Sequence, residues 1–367
     1  MTTGVTVVMR EYELEVLEQY PIEVSSTRKV RGAYFCETDQ GIFLLENMNF
    51  AAGRAPLLHE LDKSLYEKGF ACTDRLAATK AGAFYSVGKD GTKYVLKHWF
   101  SGRECEVRRE GDVLQAVQML AKLHRILLWK EPDECAEPDE KAAMESSEPE
   151  KTGGRTEAVG TEITHPFVGK NLRDAYQRHN TELLKIRKFI RSRVTKNEFE
   201  RLYMSHCEEV VERAKAVTRR LELSGYDSLY RQSVETKSLV HGDYNYHNVL
   251  FLTSGIAVTN FQHFHIDVQM EDLYYFMRKV LEKNRWNQSL GMRMLRSYEA
   301  IRPVSETERE YLAIRLAYPE KFWKIMNTYY HSNKAWIPEK NLDKLKIALL
   351  QREDREKFLK QVFSFHV

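Results

Sequence analysis

Between two short apolar runs, 238–240 and 249–252, the chain reads His241, Gly242 and Asp243, and then Asn248 five residues past the aspartate. An aspartate on a loop can accept or orient the proton of a substrate hydroxyl. An asparagine at the far end of that loop can offer its carbonyl oxygen to a magnesium ion beside a phosphate chain. Together these are parts of a phosphoryl-transfer site, where positioning and charge neutralisation do most of the catalysis. Gly242 permits the tight backbone such a loop needs before its aspartate. The same chemistry calls for a second carboxylate at the end of the next strand, to hold the metal that bridges the phosphates. That strand, 256–259, leads instead to Asn260, twelve positions past Asn248, and Asp272-Leu273 follows twelve positions later. An amide brings one neutral oxygen where a hard divalent cation prefers a charged one. Asp267 lies seven residues past Asn260, beyond the strand, and is not expected to replace it.

Two sets of elements must position these residues. Residues 12–128 read as strands and two helices. The stretches 22–30, 32–37 and 42–45 are β-rich, with a turn signal at 38–41. Leu58, Leu61 and Leu65 mark one face of a helix over 56–68. Residues 82–87 and 92–99 form a hairpin across the glycine-containing loop 88–91. A long amphipathic helix over 103–128 follows, with Val113, Val117, Leu120 and Leu127 at helical spacing. From Leu172 onward the pattern is mostly helical, over 183–194, 199–223 and again from Asp272 to Phe363, interrupted by the β-like island that carries the loop. The fold class is therefore α+β, a two-lobed arrangement with a small β-rich lobe, a larger mostly helical lobe and a cleft between them. The expected divisions are a β-rich lobe over 1–100, a hinge and first helix over 101–130, an insertion over 131–164 and the helical lobe over 165–367. The insertion is rich in Glu, Asp, Pro and small residues and nearly lacks large apolar ones. It cannot bury enough surface to offset its ordering entropy, and reads as a disordered acidic loop.

The chain resembles the aminoglycoside phosphotransferase and choline kinase group of protein-kinase-like folds. There a His-Gly-Asp loop with a trailing Asn is followed by a strand ending in Ile-Asp-Phe or Ile-Asp-Trp, and then by a helix opening with Asp-Leu. Thr259-Asn260-Phe261 stands in place of Ile-Asp-Phe. A closer resemblance is to the CotS family of bacterial spore coat proteins. It rests on Val30-Arg31-Gly32, Gly102 to Cys105, Leu120 to His124, Lys185 to Ile190, Asn197 to Glu200, the loop itself, Tyr318 to Lys324, Asn327 with Tyr329 and Tyr330, and Asn333 to Trp336. The resemblance implies synthesis in the sporulating mother cell, deposition on the spore coat and other coat proteins as partners. It implies Asp243 as the catalytic-loop aspartate, and Asn248 and Asn260 at the positions that hold ATP and Mg²⁺. In active relatives of this fold a lysine on the third strand pairs with phosphates and with a helix glutamate. Here that position falls on Glu46, with no Lys or Arg between Gly41 and Phe50, so Glu60 lacks its usual partner. Lys97, in the following hairpin, sits later than the expected lysine and near the hinge, and is kept with Asn248 and Asn260 as a candidate for binding the nucleotide. Two missing charges favour a protein that keeps the fold without the chemistry. An ATP-dependent phosphotransferase acting on a small molecule, sugar or protein hydroxyl is the alternative, as is a nucleotide-binding module without turnover.

The remaining residue types are bland by comparison. A net charge of +3 across 367 residues gives no argument for nucleic acid or an anionic membrane. No apolar run is long enough to cross a bilayer, and the first ten residues do not read as a secretory signal. Cys36, Cys72, Cys105, Cys135 and Cys207 are scattered, so neither a disulfide framework nor a zinc site is expected, and a reducing compartment fits. His241 is expected to pack beneath the loop and Asp272 to cap its helix or bond the loop. His263 and His265 read as an ordinary pair rather than metal ligands. Trp286, Trp323, Trp336, Tyr329 and Tyr330 read as core.

Overall fold

In the first 100 residues the β-rich stretches become strands β1 (Val24–Val30), β2 (Ala33–Thr38) and β3 (Gly41–Asn47), helix α1 (Arg54–Glu67), and strands β4 (Ser86–Val87) and β5 (Lys93–His98). The structure is a computed structural model that describes residues 12–30, 32–129, 167–331 and 339–366. Arg31, the acidic stretch 131–164 with Cys135, and the 333–336 motif with Trp336 lie outside the described residues. The chain divides into two compact units. One takes the described residues of Met1–Ala71 with Arg75–Trp99 and Trp129. The other takes Cys72–Asp74, Phe100–Leu128 and the described residues of Phe167–Val367.

The first unit is an antiparallel five-stranded sheet in the order β1-β2-β3-β5-β4. Tyr34, Cys36, Phe43, Leu45, Tyr94 and Leu96 alternate inward along the strands and close a core with Val16 and Leu17 from the 3-10 helix Tyr12–Gln19 and with Tyr20 just past its end. Strand β1 is exposed along its length. Its Arg28 and Lys29 lie over the rings of Phe35 and Tyr34, and charged side chains on an edge strand discourage pairing with another chain.

The second unit begins its regular structure with β6 (Arg103–Glu104) and α2 (Glu110–Ile126). The periodicity predicts a helix from residue 103, but the first turn and more are not helical. Arg103 instead pairs with Phe251 as strand and clamps the Asp112 carboxylate with both terminal nitrogens, while the Glu106 backbone N–H donates to the same carboxylate. Helices α3 (Leu172–Ser192), α4 (Glu198–Leu223) and α5 (Tyr226–Glu235) follow, then β7 (Leu239–Val240), β8 (Val249–Leu252), β9 (Gly255–Val258) and β10 (His265–Ile266). The chain continues as α6 (Met270–Lys283), α7 (Gln288–Glu299), α8 (Glu306–Ala317), α9 (Glu320–His331), α10 (Glu339–Leu350) and α11 (Arg352–Phe363). Strands β6-β8-β9 form one small sheet, and β10 pairs with β7. Helices α2, α6 and α8 bury their apolar faces completely, with Val113, Val117, Leu120, Phe276, Met277, Leu312 and Ile314 in the core. A small antiparallel sheet followed by a larger helical part is the α+β architecture expected from the sequence. Trp286 and Tyr329 are core residues, whereas Tyr330 is partly exposed. Cys36, Cys105 and Cys207 are buried and free, and Cys72 is half-buried and free.

Candidate functional site

The loop from His241 to Asn248 leaves β7 and enters β8, and the backbone is turned tightly at Gly242, where φ is +81°. A methyl group at that position would lie 2.2 Å from the His263 carbonyl oxygen, so only glycine fits. Beneath the turn, Asp272 in the first turn of α6 accepts the His241 N–H at 2.6 Å and the Gly242 N–H at 3.0 Å. His124 on α2 contacts the same carboxylate through Nε2 at 3.2 Å, and the Tyr298 hydroxyl lies 2.6 Å from His124 Nδ1. One neutral tautomer satisfies both contacts, with Nε2–H donating to Asp272 and Nδ1 accepting from Tyr298. Burial pushes His124 below the usual imidazole range, with Asp272 working against it. Burial alone would raise Asp272, but the hydrogen bonds from His124 and the loop hold it below the carboxylate range, so it stays ionised.

His241 is fully buried, and its ring is a strut rather than a base. Nε2 lies 2.9 Å from the Thr259 carbonyl, and Nδ1 accepts the Asp243 N–H at 3.1 Å. Burial lowers its pKa, in keeping with the neutral form that this arrangement requires. Tyr244 anchors the loop from its other face by donating to the Ala116 carbonyl at 2.7 Å.

Asp243, Asn248 and Asn260 come together on this scaffold. The Asn248 amide nitrogen donates to the Asp243 carbonyl at 2.9 Å and to its carboxylate at 3.0 Å. Asn245 Nδ2 donates to the other carboxylate oxygen at 3.0 Å. With its nitrogen committed to Asp243, Asn248 turns its oxygen toward Asn260, whose Nδ2 donates to it at 2.8 Å. Asn260 itself is left-handed, with φ +67°, and both oxygens of Asp74 accept its backbone N–H at 2.9 Å. Sequence reasoning missed Asp74, which sits 186 positions earlier with no motif around it. It also missed Tyr275 on α6, whose phenol is pushed up by burial and then by the Asp243 carboxylate. His247, at the rim, meets Glu104 of β6 at 2.5 Å.

The donor set does not fit a divalent cation. Asn260 presents its N–H₂ to Asn248, where a chelating residue would present an oxygen, and the oxygen of Asn248 is turned to that donor. Among the described residues no three His, Cys, Asp or Glu side chains gather in a way that could hold a metal. Asp267 is occupied elsewhere, 3.6 Å from His265 Nε2 and accepting the Val268 N–H. His265 in turn contacts the His263 carbonyl through Nδ1 at 2.8 Å.

Lys97 lies in the first unit, on β5, with its side chain 3% exposed. Its ammonium sits 2.6 Å from Glu46 of β3, so the carboxylate that replaces the expected lysine is neutralised by a lysine from the neighbouring strand. Glu60 on α1 forms no ion pair among the described residues.

Residues 227–362 match the family model described as "Spore coat putative kinase YutH". The chain is 24% identical over 163 residues to spore coat protein S of Bacillus subtilis (strain 168). That alignment covers 44% of this chain and 46% of the relative, so the chain spans about half the length of the curated relative it matches. Among solved structures it is similar to an aminoglycoside phosphotransferase from Alicyclobacillus acidocaldarius, with a TM-score of 0.75 at 17% identity over 95% of this chain and 94% of the other. It is also similar to the AMP-bound spectinomycin phosphotransferase APH(9)-Ia, with a TM-score of 0.60 at 11% identity over 93% of this chain and 96% of the other. By sequence the chain is similar to spore coat proteins, and its fold is that of the kinase-like phosphotransferases.

Proposed function

We propose that this protein is a spore coat-associated member of the kinase-like fold that acts in coat structure or assembly, with other coat proteins as partners, and does not transfer phosphate. The observation that carries this reading is the amide pair of Asn248 and Asn260. Where the fold's chemistry needs a carboxylate and a metal, these two side chains satisfy each other and Asp243. Without a chelating charge, the site lacks the means to neutralise the phosphates in the transition state. The Lys97–Glu46 pair supports the same reading, because the cation a nucleotide would need is matched by a protein carboxylate. In this reading Asp243 is held as a structural acceptor for Asn245 and Asn248.

The test is thermal melting of the full chain with ATP or ADP, with and without Mg²⁺ or Mn²⁺. A ligand that binds only the folded state adds about 2.7 kcal/mol at a hundredfold excess over its Kd. No metal-dependent shift is expected. A clear metal-dependent rise, together with transfer of the γ-phosphate, would overturn the proposal. A second reading, nucleotide binding without turnover, is supported by the similar spectinomycin phosphotransferase having been solved with AMP. It predicts a rise with nucleotide alone that the metal does not change.

A further inference from the structure

Far along the chain from the Asp243 loop, the end of α6, the start of α9 and the start of α11 surround a cavity lined by Glu282, Trp286, Lys321, Gln351, Arg352 and Arg355, with apolar side chains completing the wall. Three cations face one carboxylate. That carboxylate already serves two cations, Arg278 at 2.9 Å and Lys321 at 3.2 Å. Arg352 is paired with Glu209. Arg355 is left over, since its guanidinium makes no hydrogen bond or ion pair among the described residues and its Nε is buried without a partner. The indole N–H of Trp286 is likewise buried and unpartnered. Two buried donors without acceptors in the wall of one cavity are a rare arrangement, because a buried polar group ordinarily finds a partner. Trp286 is held there by consecutive left-handed residues, Arg285 and Trp286, at φ +50° and +52°.

We propose that this cavity binds a compact oxyanion of the phosphate or sulfate kind, anchored by Arg355 and the Trp286 indole N–H and flanked by Lys321 and Arg352. The space open to a water-sized molecule is about 30 Å³. A single water needs roughly 10–15 Å³ on that measure, so the space is that of two or three waters, the scale of a small anion rather than of a nucleotide. An arginine with free donors suits such a ligand, because its fork matches two oxygens at once. Burial first and the nearby Arg213 second press Arg355 down to about 10, with Glu356 and Glu282 offsetting this only in part, and an anion between the cations would relieve it further.

The experiment is thermal melting and calorimetric titration of the full chain with sodium phosphate and sodium sulfate, against sodium chloride at matched ionic strength. A saturable rise in melting temperature with the oxyanions and not with chloride is expected. Arg355→Met removes the saturation. Trp286→Phe keeps the ring and loses one donor, and weakens binding about fivefold. The cavity shares no residue with the Asp243 loop, so Asp243→Asn leaves the oxyanion response unchanged whichever way the phosphotransfer question falls. Equal responses to phosphate, sulfate and chloride would overturn the proposal. So would a saturable response of wild-type strength in Arg355→Met, or, should that variant not fold, in Trp286→Phe.

Discussion

At position 260 an amide stands where the sequence resemblance calls for a carboxylate, and this decides which atoms face one another. Asn260 Nδ2 donates to Asn248 Oδ1. An aspartate there would set oxygen against oxygen and add a second charge near Asp243. Asn260→Asp is therefore expected to lose about 1–3 kcal/mol in urea melts without divalent cations. It should also gain a Mg²⁺-dependent recovery that the wild type lacks. A variant as stable as wild type and indifferent to Mg²⁺ would count against this account of the amide pair. Phosphotransfer is not expected to return with this change alone, because Glu46 still matches Lys97. The residues of the loop were legible in the sequence because they are local: a five-residue spacing and a following strand place Asp243, Asn248 and Asn260 together. Asp74, Tyr275 and Glu104 were not, because only the folded chain brings them there. No periodicity or spacing encodes a contact between residues 74 and 260.

Among the elements, helices were legible by their apolar stripes, while their ends depended on polar contacts that periodicity does not carry. The start of α2 is the clearest case. Arg103 shares the apparent helical pattern, yet it serves as strand and as the clamp on Asp112. The start of α4 shows the opposite. Asn197 accepts the Glu200 N–H at 2.8 Å and Glu200 accepts the Asn197 N–H at 3.0 Å, a reciprocal cap written in four consecutive residues. Glu200 is wholly buried and also accepts the Tyr329 hydroxyl at 2.6 Å. Asn197→Ala is expected to cost about 1 kcal/mol in denaturant melts, and an unchanged midpoint would show the cap to be idle. The loop between β7 and β8 is less forgiving. Gly242→Ala meets both a left-handed φ and a carbonyl oxygen, and should cost about 3 kcal/mol or more. Wild-type stability of that variant would mean that the turn can relax.

For the molecule as a whole, buried histidines add to an acid response that carboxylates held below their usual range, such as Asp272 and Glu320, also carry. His179 is stacked on Trp323 with ring centroids 3.4 Å apart, and burial lowers it to about 4. His124 and His241 are lowered too, also by burial. A base with a depressed folded pKa stays neutral in the folded state while the unfolded chain takes up the proton. Stability is thus full above about pH 6.5 and falls as the pH drops toward 4, by about 3 kcal/mol from His179 alone. Glu271, raised by burial, titrates with the opposite sign. Urea melts at about pH 7 and about pH 5 should show the fall, and His179→Phe, which keeps an aromatic ring against Trp323, should flatten it. An unaltered slope in that variant would remove His179 from the account. The free cysteines have a consequence of another kind. Cys36 lies in the sheet of the first unit, while Cys105 and Cys207 lie in the second, all buried. Burial pushes the Cys36 thiol up to about 11 and the Cys105 thiol up to about 12, so neither forms much thiolate in the folded chain. A thiol reagent can reach them only when the surrounding structure opens. In a chain with Cys72 and Cys135 changed to serine, labelling would act as a pair of clocks, timing how often each unit breathes.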